Sequence, residues 1–254
     1  MIKFFRKIRQ NLLSEGKTGK YLKYAIGEII LVMVGILLAL QVNNWNELSN
    51  QSKNELQLLR KLKKDINNDI TSIKEFDEKY EKSEADGKLG IELFYKAKTL
   101  KDIDSVVKLT YSSWNDLIVN NSTYDEMLNN GILYNMKNQE LQDLITSYYL
   151  RVEVDKNHMK QVNNGQMEML YHNPELYKYL FLVRQLNKKQ VPIDLIDTTW
   201  INNPNSSTYL AVSHFLESNQ NLNHSWRRSV YGWTLEKAEL LLKSINEELE
   251  SRSD

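Results

Sequence analysis

Four histidines are the side chains of this 254-residue sequence best suited to binding a metal or moving a proton near neutral pH. His158 and His172 flank Met159, Met167 and Met169, a set of imidazole and thioether groups that suits copper. On one helix only Met169 and His172 share a face. Methionine at this spacing usually fills a core. We therefore expect no metal site and no cofactor.

Motifs for covalent catalysis or phosphate binding are missing from the sequence. It contains no Cys and no Gly-x-Ser-x-Gly motif, and its nine glycines form no glycine-rich loop. Asp65, Asp69, Glu75 and Asp77 lie among lysines, a pattern typical of the solvated face of a helix. We expect the protein not to be an enzyme. A hydrolase that acts on envelope polymers is a further alternative, and it would need two carboxylates in one cleft.

Aromatic side chains provide the alternative of a ligand groove. Tyr148, Tyr149, Trp200, Trp226 and Trp233 could line one, although such residues usually belong to the core of a helical bundle. A cavity of roughly several hundred cubic ångströms lined by tryptophans would favour a small-molecule sensor that signals through a partner. A broad exposed apolar patch would instead favour protein association.

One apolar stretch, Tyr24–Val42, determines where these groups lie. Ile29–Leu40 contains nine Ile, Leu or Val residues, and nineteen helical residues reach about 28 Å, close to the hydrocarbon thickness of a bilayer. Tyr21, Tyr24 and Trp45 are placed to anchor its two interfaces. A buried core helix and a cleaved signal peptide are the alternatives. A signal peptide fits poorly, because 23 residues precede the stretch and no cleavage pattern follows it.

Charge sets the expected orientation. Before the span lie seven basic residues and one acid, Glu15, whereas Lys53 is the only basic residue between the span and Arg60. The positive flank stays in the cytoplasm. We expect a basic cytoplasmic segment at 1–23, a transmembrane helix at 24–42 and a periplasmic domain at 43–254. Residues 2–13 form either an amphipathic helix on the inner leaflet or a disordered basic tail.

The exported part is mildly acidic. The chain has 33 basic and 33 acidic residues; removing the seven leading bases together with Glu15 and Glu28 leaves 26 against 31. A nucleic-acid partner would require a basic face, so we expect none. The absence of Cys is compatible with an oxidising compartment.

Two blocks of the sequence resemble a known family. MIKFFRKIRQNLLSEG, followed by YAIGEIILVMVGILLALQVNNWNE, resembles the start of a family of uncharacterised single-pass membrane proteins from Bacteroidota, defined by a domain of unknown function. STYDEMLNNGILYNMKNQELQDLITSYY, at 122–149, is similar to that family's middle region. The resemblance implies an inner-membrane anchor and a helical exported domain. It carries no catalytic residues over to this chain.

The periodicity of apolar residues predicts an all-α bundle after the span. An apolar stripe from Leu59 to Tyr80, in which only Asp69 is polar, predicts a helix over 53–84. The stripe covers too few heptads to distinguish a coiled coil from a bundle helix. A long helix through Gly165 and a last helix with heptad spacing from Tyr231 to Leu249 follow. We expect the first and last helices to pair antiparallel.

Helix ends are predicted from glycine, proline and capping residues. Gly87 and Gly90 are expected to interrupt the chain, with a shorter helix over 89–98 and another over 102–114. Thr123 and Glu126 form a capping-box pattern, and Gly131 provides a stop. Pro174 starts a helix, and Ser206 or Ser207 caps the next one.

The span contains one candidate association face. Glu28, Gly35 and Ala39 lie on one side of the helix, and the two small residues permit close approach of a second helix. The Glu28 carboxylate either reaches the inner interface or pairs with a partner subunit. We expect a membrane-anchored module that acts by protein association in the cell envelope, with the bilayer and either a second copy or another envelope protein as partners.

Overall fold

The computed structural model describes residues 18–110, 116–188, 196–221 and 227–252, and every regular element in these ranges is helical. The predicted all-α fold is confirmed. The predicted amphipathic segment at 2–13 lies outside the described residues.

Seven α-helices and two 3₁₀ helices make up the described part of the chain. The α-helices are α1 (Thr18–Lys96), α2 (Leu100–Thr110), α3 (Ser122–Asn129), α4 (Gln139–His172), α5 (Pro174–Lys188), α6 (Ser207–Gln220) and α7 (Arg227–Ser251). The 3₁₀ helices are Leu133–Asn135 and Thr199–Asn202. The long helix through Gly165, the helix that starts at Pro174 and the last helix are confirmed.

The chain divides into two compact units, Met1–Gln57 and Leu58–Asp254, and α1 contributes residues to both. In the first unit the described residues belong to α1 alone. The second unit holds all other helices and two apolar cores.

The first core joins α1, α3, α4 and α7. The apolar stripe of α1 is buried as predicted, at Leu59, Leu62, Ile66, Ile73 and Tyr80. Tyr231 of α7 stacks against Phe76 and Tyr80, with ring centroids 5.7 and 5.5 Å away.

Ion pairs along the first core show that α1 and α7 run antiparallel, as predicted. Lys74 binds Glu239 at 2.8 Å, whereas Arg228, eleven residues before Glu239, binds Asp77 at 3.4 Å, further along α1. This pairing buries the apolar stripes of both helices against each other and against α4.

The second core is assembled from shorter helices. The end of α1 contributes Phe94, and Ala97 follows directly after that helix; α2, α5, α6 and the second 3₁₀ helix surround these two residues. Phe94 lies 4.8 Å from Tyr209 of α6, and Trp200 packs edge-on against Tyr179 of α5.

Two predicted helix ends are confirmed and one is wrong. Gly131 adopts a φ of +67°, a left-handed conformation that glycine tolerates, just after α3. Ser206 caps α6 by accepting a hydrogen bond from the Tyr209 amide at 3.2 Å. The Thr123–Glu126 capping box is not formed, because Thr123 donates its hydroxyl to Asp65 and Glu126 binds Lys61, both on α1.

Gly87 and Gly90 do not interrupt α1, and the predicted break there is wrong. Both are buried inside the helix. A Cβ at Gly87 would lie 2.0 Å from the Gln220 Oε1 atom, and one at Gly90 would lie 2.5 Å from Thr110 Cγ2 and 3.1 Å from Leu109 Cβ. These glycines allow the ends of α6 and α2 to approach α1 closely.

We predict that Gly90→Ala destabilises the second unit by about 1–3 kcal/mol, because the new methyl group overlaps α2. Gly165→Ala is the matched control: a Cβ there meets nothing within 4 Å, so higher helix propensity should stabilise by up to about 1 kcal/mol. Thermal unfolding of the detergent-solubilised protein, followed by circular dichroism, measures both. Equal effects of the two substitutions would contradict the close approach at Gly90.

Candidate functional site

The apolar stretch of α1 is the most exposed hydrophobic surface in the described residues. Its most apolar 18-residue window has a mean hydropathy of 2.4, and none of that window is buried within the described part of the chain. A core helix would be mostly buried, so this finding argues against that alternative. A signal sequence passes the same test of length and composition. The helix is thus long and apolar enough to cross a membrane.

The predicted association residues lie along this stretch of α1. Glu28 is half-buried and has an interaction partner. Gly35 and Ala39 are exposed, and a Cβ at Gly35 would meet nothing within 4 Å. Trp45 is 73% exposed. The side chains of Tyr21 and Tyr24 lie outside the described residues.

A buried polar cluster lies in the second unit, at two aspartates predicted to be solvated. That prediction is wrong, because Asp65 and Asp69 are only 9% and 4% exposed. Asp69 is at a stripe position of α1 and Asp65 is one turn before it, so both point into the first core. Glu75 remains exposed, as predicted. We call Asp65, Asp69, Asn120, Thr123 and Tyr148 the aspartate cluster.

Hydrogen bonds from three elements converge on the two carboxylates. Asp65 accepts from the Asn120 side-chain amide at 3.0 Å and from the Thr123 hydroxyl at 2.5 Å. Asp69 accepts from the Asn120 backbone amide at 3.0 Å and from the Tyr148 hydroxyl at 3.3 Å. Tyr149 donates to the Asn120 carbonyl at 3.2 Å. The aspartate cluster therefore ties the irregular segment before α3 to α1 and α4.

Burial raises the pKa of Asp69 to about 6, although the hydrogen bonds from Asn120 and Tyr148 oppose the shift. Burial and the neighbouring Asp69 raise the pKa of the Tyr148 hydroxyl, which therefore stays a proton donor to the carboxylate. Perturbed carboxylates often mark active sites, but these oxygens are occupied by protein donors. The arrangement holds a loop in place and presents no free carboxylate pair to a substrate.

A third buried aspartate, Asp155, belongs to α4. It accepts hydrogen bonds from Arg151 at 2.9 Å and from the Thr234 hydroxyl of α7 at 3.1 Å. The Arg151 guanidinium lies over the Trp233 ring, 4.7 Å from its centre. This group joins α4 to α7 and covers one face of the Trp233 ring.

Three of the five aromatic residues predicted as groove candidates are divided between the two cores, and Trp233 is 48% exposed on α7. Tyr148 and Tyr149 are buried in the first core and Trp200 in the second, while Trp226 lies outside the described residues. A groove of about 510 Å³ between α1 and α7 is lined by charged and amide side chains with Ile70 and Leu242, and no tryptophan is among them. The described cavities give the sensor interpretation no specific support.

The histidine and methionine residues considered for copper are dispersed. Met159 is fully buried in the first core, and Met167 is exposed on α4. Within the described ranges no group of three or more His, Asp or Glu side chains is placed to hold a metal ion.

We predict that Asp69→Asn reduces the pH dependence of folding stability between about pH 4 and 6. The folded-state pKa of Asp69 is raised from 3.8 to about 6, so the unfolded chain ionises first and the native protein loses stability as pH rises through this window. Two pKa units correspond to a loss of about 3 kcal/mol. Asn keeps an oxygen for the Asn120 amide and does not titrate. Melting temperatures at pH 4 to 7 measure the effect.

A second variant should shift the pH dependence of stability in a defined direction. Tyr148→Phe removes a donor that lowers the pKa of Asp69, so its loss of stability should extend to higher pH than in the wild type. If the Asp69→Asn protein and the wild type show the same pH profile, Asp69 does not titrate as a buried group.

Comparison with known proteins gives one match. No curated protein and no solved structure matches the chain significantly. The model of a family described as "Family of unknown function (DUF6090)" matches residues 28–169, more than half of the sequence. The match includes the apolar stretch from Glu28, and it contains every residue of the aspartate cluster. The chain therefore belongs to the family of unknown function DUF6090.

Proposed function

We propose that this protein is a membrane-anchored helical module that acts by protein association in the cell envelope. The observation that carries the proposal is the unburied apolar window of α1, since nothing in the described part of the chain covers it. This part of α1 has twelve exposed large apolar side chains between Ile26 and Val42. Each of them is more stable in a hydrocarbon environment than in water.

Charge supports an orientation with the N-terminus in the cytoplasm and residues from about 45 onward in the periplasm. Seven basic residues precede the span, and few follow it closely. The resemblance of the anchor sequence to single-pass proteins of Bacteroidota supports the same arrangement in an inner membrane. The lipid bilayer is then the first partner of the protein.

The role of the buried aspartates favours association over catalysis. Asp65, Asp69 and Asp155 are buried and accept hydrogen bonds from the protein itself, so these three carboxylates serve folding. A second copy or another envelope protein is the partner class that this architecture fits, and no nucleic acid is expected.

The topology is tested with reporter fusions in a Gram-negative host. Alkaline phosphatase fused after Asp254 should be active, because the enzyme requires the oxidising periplasm, and a cytoplasmic fluorescent reporter at that position should stay dark. The same phosphatase fused after Gly16, ahead of the span, is the control and should be inactive. Inactive phosphatase with a fluorescent reporter at the C-terminus would reverse the proposed topology.

Self-association through the span is tested with Gly35→Leu combined with Ala39→Leu. Large side chains at these positions would separate two helices that pack on the small-residue face, so the signal of a membrane-helix dimerisation reporter should fall about fivefold. Met33→Leu combined with Leu37→Ile, on the opposite face of α1, is the control and should leave it unchanged. A signal that survives the first pair of substitutions excludes this face as the contact and favours a different envelope protein as partner.

A further inference from the structure

Only α1 and α4, among the described helices, contribute buried apolar residues to both cores of the second unit. On α1 the first core ends at Tyr80 and the second begins at Phe94. On α4 the corresponding residues are Met159 and Leu170. The stretches between these residues therefore connect the two cores.

Buried positions in the connecting stretches carry no apolar side chain. On α1 they are Gly87 and Gly90, and on α4 they are Asn163 and Gln166. The end of α6 adds Asn219 and Gln220 at the same level, because Gln220 reaches the α1 backbone beside Gly87. We call these six residues the polar layer.

Side-chain hydrogen bonds help to hold the polar layer together. The Gln220 side chain donates to the Glu84 carbonyl at 3.0 Å, and the Gln166 side chain donates to the Ser218 hydroxyl at 3.2 Å. Asn163 donates to the Asp116 carboxylate at 2.7 Å. Because water can replace these partners when the layer opens, such bonds resist opening less than interlocked apolar side chains do.

A glycine in α4 also lies at the level of the polar layer. Gly165 lies between Asn163 and Gln166, is exposed, and would accept a Cβ without any contact within 4 Å. Packing therefore does not require glycine there, whereas glycine weakens a helix locally. Both connecting helices thus have glycine between the two cores.

We infer that the polar layer is a hinge within the second unit. At this hinge the part built on the first core bends relative to the part built on the second core. Each core moves as a body because its apolar side chains interlock. The bend is confined to the residues of α1 and α4 between the cores. Such motion changes the relative positions of surfaces on the two parts. This property is additional to the membrane anchoring and protein association proposed above.

Hydrogen exchange of the full-length protein in lipid nanodiscs tests the inference. Amides at 82–93 and 160–169 should exchange about tenfold faster, relative to their intrinsic rates, than those at 59–73 and 141–152. Gly165→Ala should slow exchange at 160–169 about fivefold by raising helix propensity. Gly232→Ala, in α7 and equally free of contacts, is the matched control and should not change exchange at 160–169.

Equal protection of the connecting stretches and the flanking helices would overturn the inference. The same result for Gly165→Ala and Gly232→Ala at 160–169 would also overturn it, since the effect would not be specific to the level of the polar layer.

Distances between spin labels separate bending from local fraying. The native chain has no Cys, so labels can be placed at Asn68→Cys and Leu210→Cys, one on each side of the polar layer. Asn68→Cys with Glu236→Cys, both on the first core's helices, is the control pair. The distance distribution should be broader for the first pair and should narrow with Gly165→Ala. Equally narrow distributions for both pairs would show a rigid unit and overturn the inference.

Discussion

Helix α1 must bury two different apolar surfaces, and the rest of the structure depends on how each is covered. From Ile29 to Leu40 the helix is apolar all round, and from Leu59 to Tyr80 it is apolar along one stripe. The stripe is covered by α4 and α7 in the first core. Burial of a large apolar side chain is worth roughly 1.5–3 kcal/mol. Covering the twelve exposed ones therefore offers more free energy than the roughly 5–15 kcal/mol by which a whole domain is stable. No other described residue covers the first surface, and that stretch is long and apolar enough to cross a membrane.

The aspartate cluster meets a different constraint, which is to hold the irregular residues 116–121 that precede α3. The Asn120 backbone donates its amide to Asp69, and its carbonyl accepts from Tyr149, so side chains take the place of helix or sheet partners. Leu117 and Val119 are buried on the same segment. Two carboxylates in an apolar core are costly, but the loop, Thr123 and Tyr148 donate a hydrogen bond to each oxygen atom. The cluster thereby fixes where the segment lies between α1 and α4.

Sequence periodicity predicted the helices because their apolar faces repeat over several turns. The α1 stripe, the long α4 and the heptads of α7 follow from this pattern, as does the antiparallel pairing of α1 with α7. Asp65 could have been predicted as buried, since it stands one turn before Asp69 on the stripe. The break at Gly87 and Gly90 was wrong because glycine there serves tertiary contacts with Gln220 and Thr110, which local sequence does not reveal. Thr123 failed as a cap for the same reason: a distant carboxylate competes for its hydroxyl.

The family match and the fold have different boundaries. Residues 28–169 include α3 and nearly all of α4, together with the whole aspartate cluster. They do not include α7, which stacks Tyr231 on the α1 stripe and binds Lys74 and Asp77 through Glu239 and Arg228. The matched residues therefore leave one side of the first core open, and α7 must return along α1 to close it. The part of the chain that the family model matches is thus not a complete structural unit. The outer surface that α7 gives to the first core is determined by residues outside the matched range.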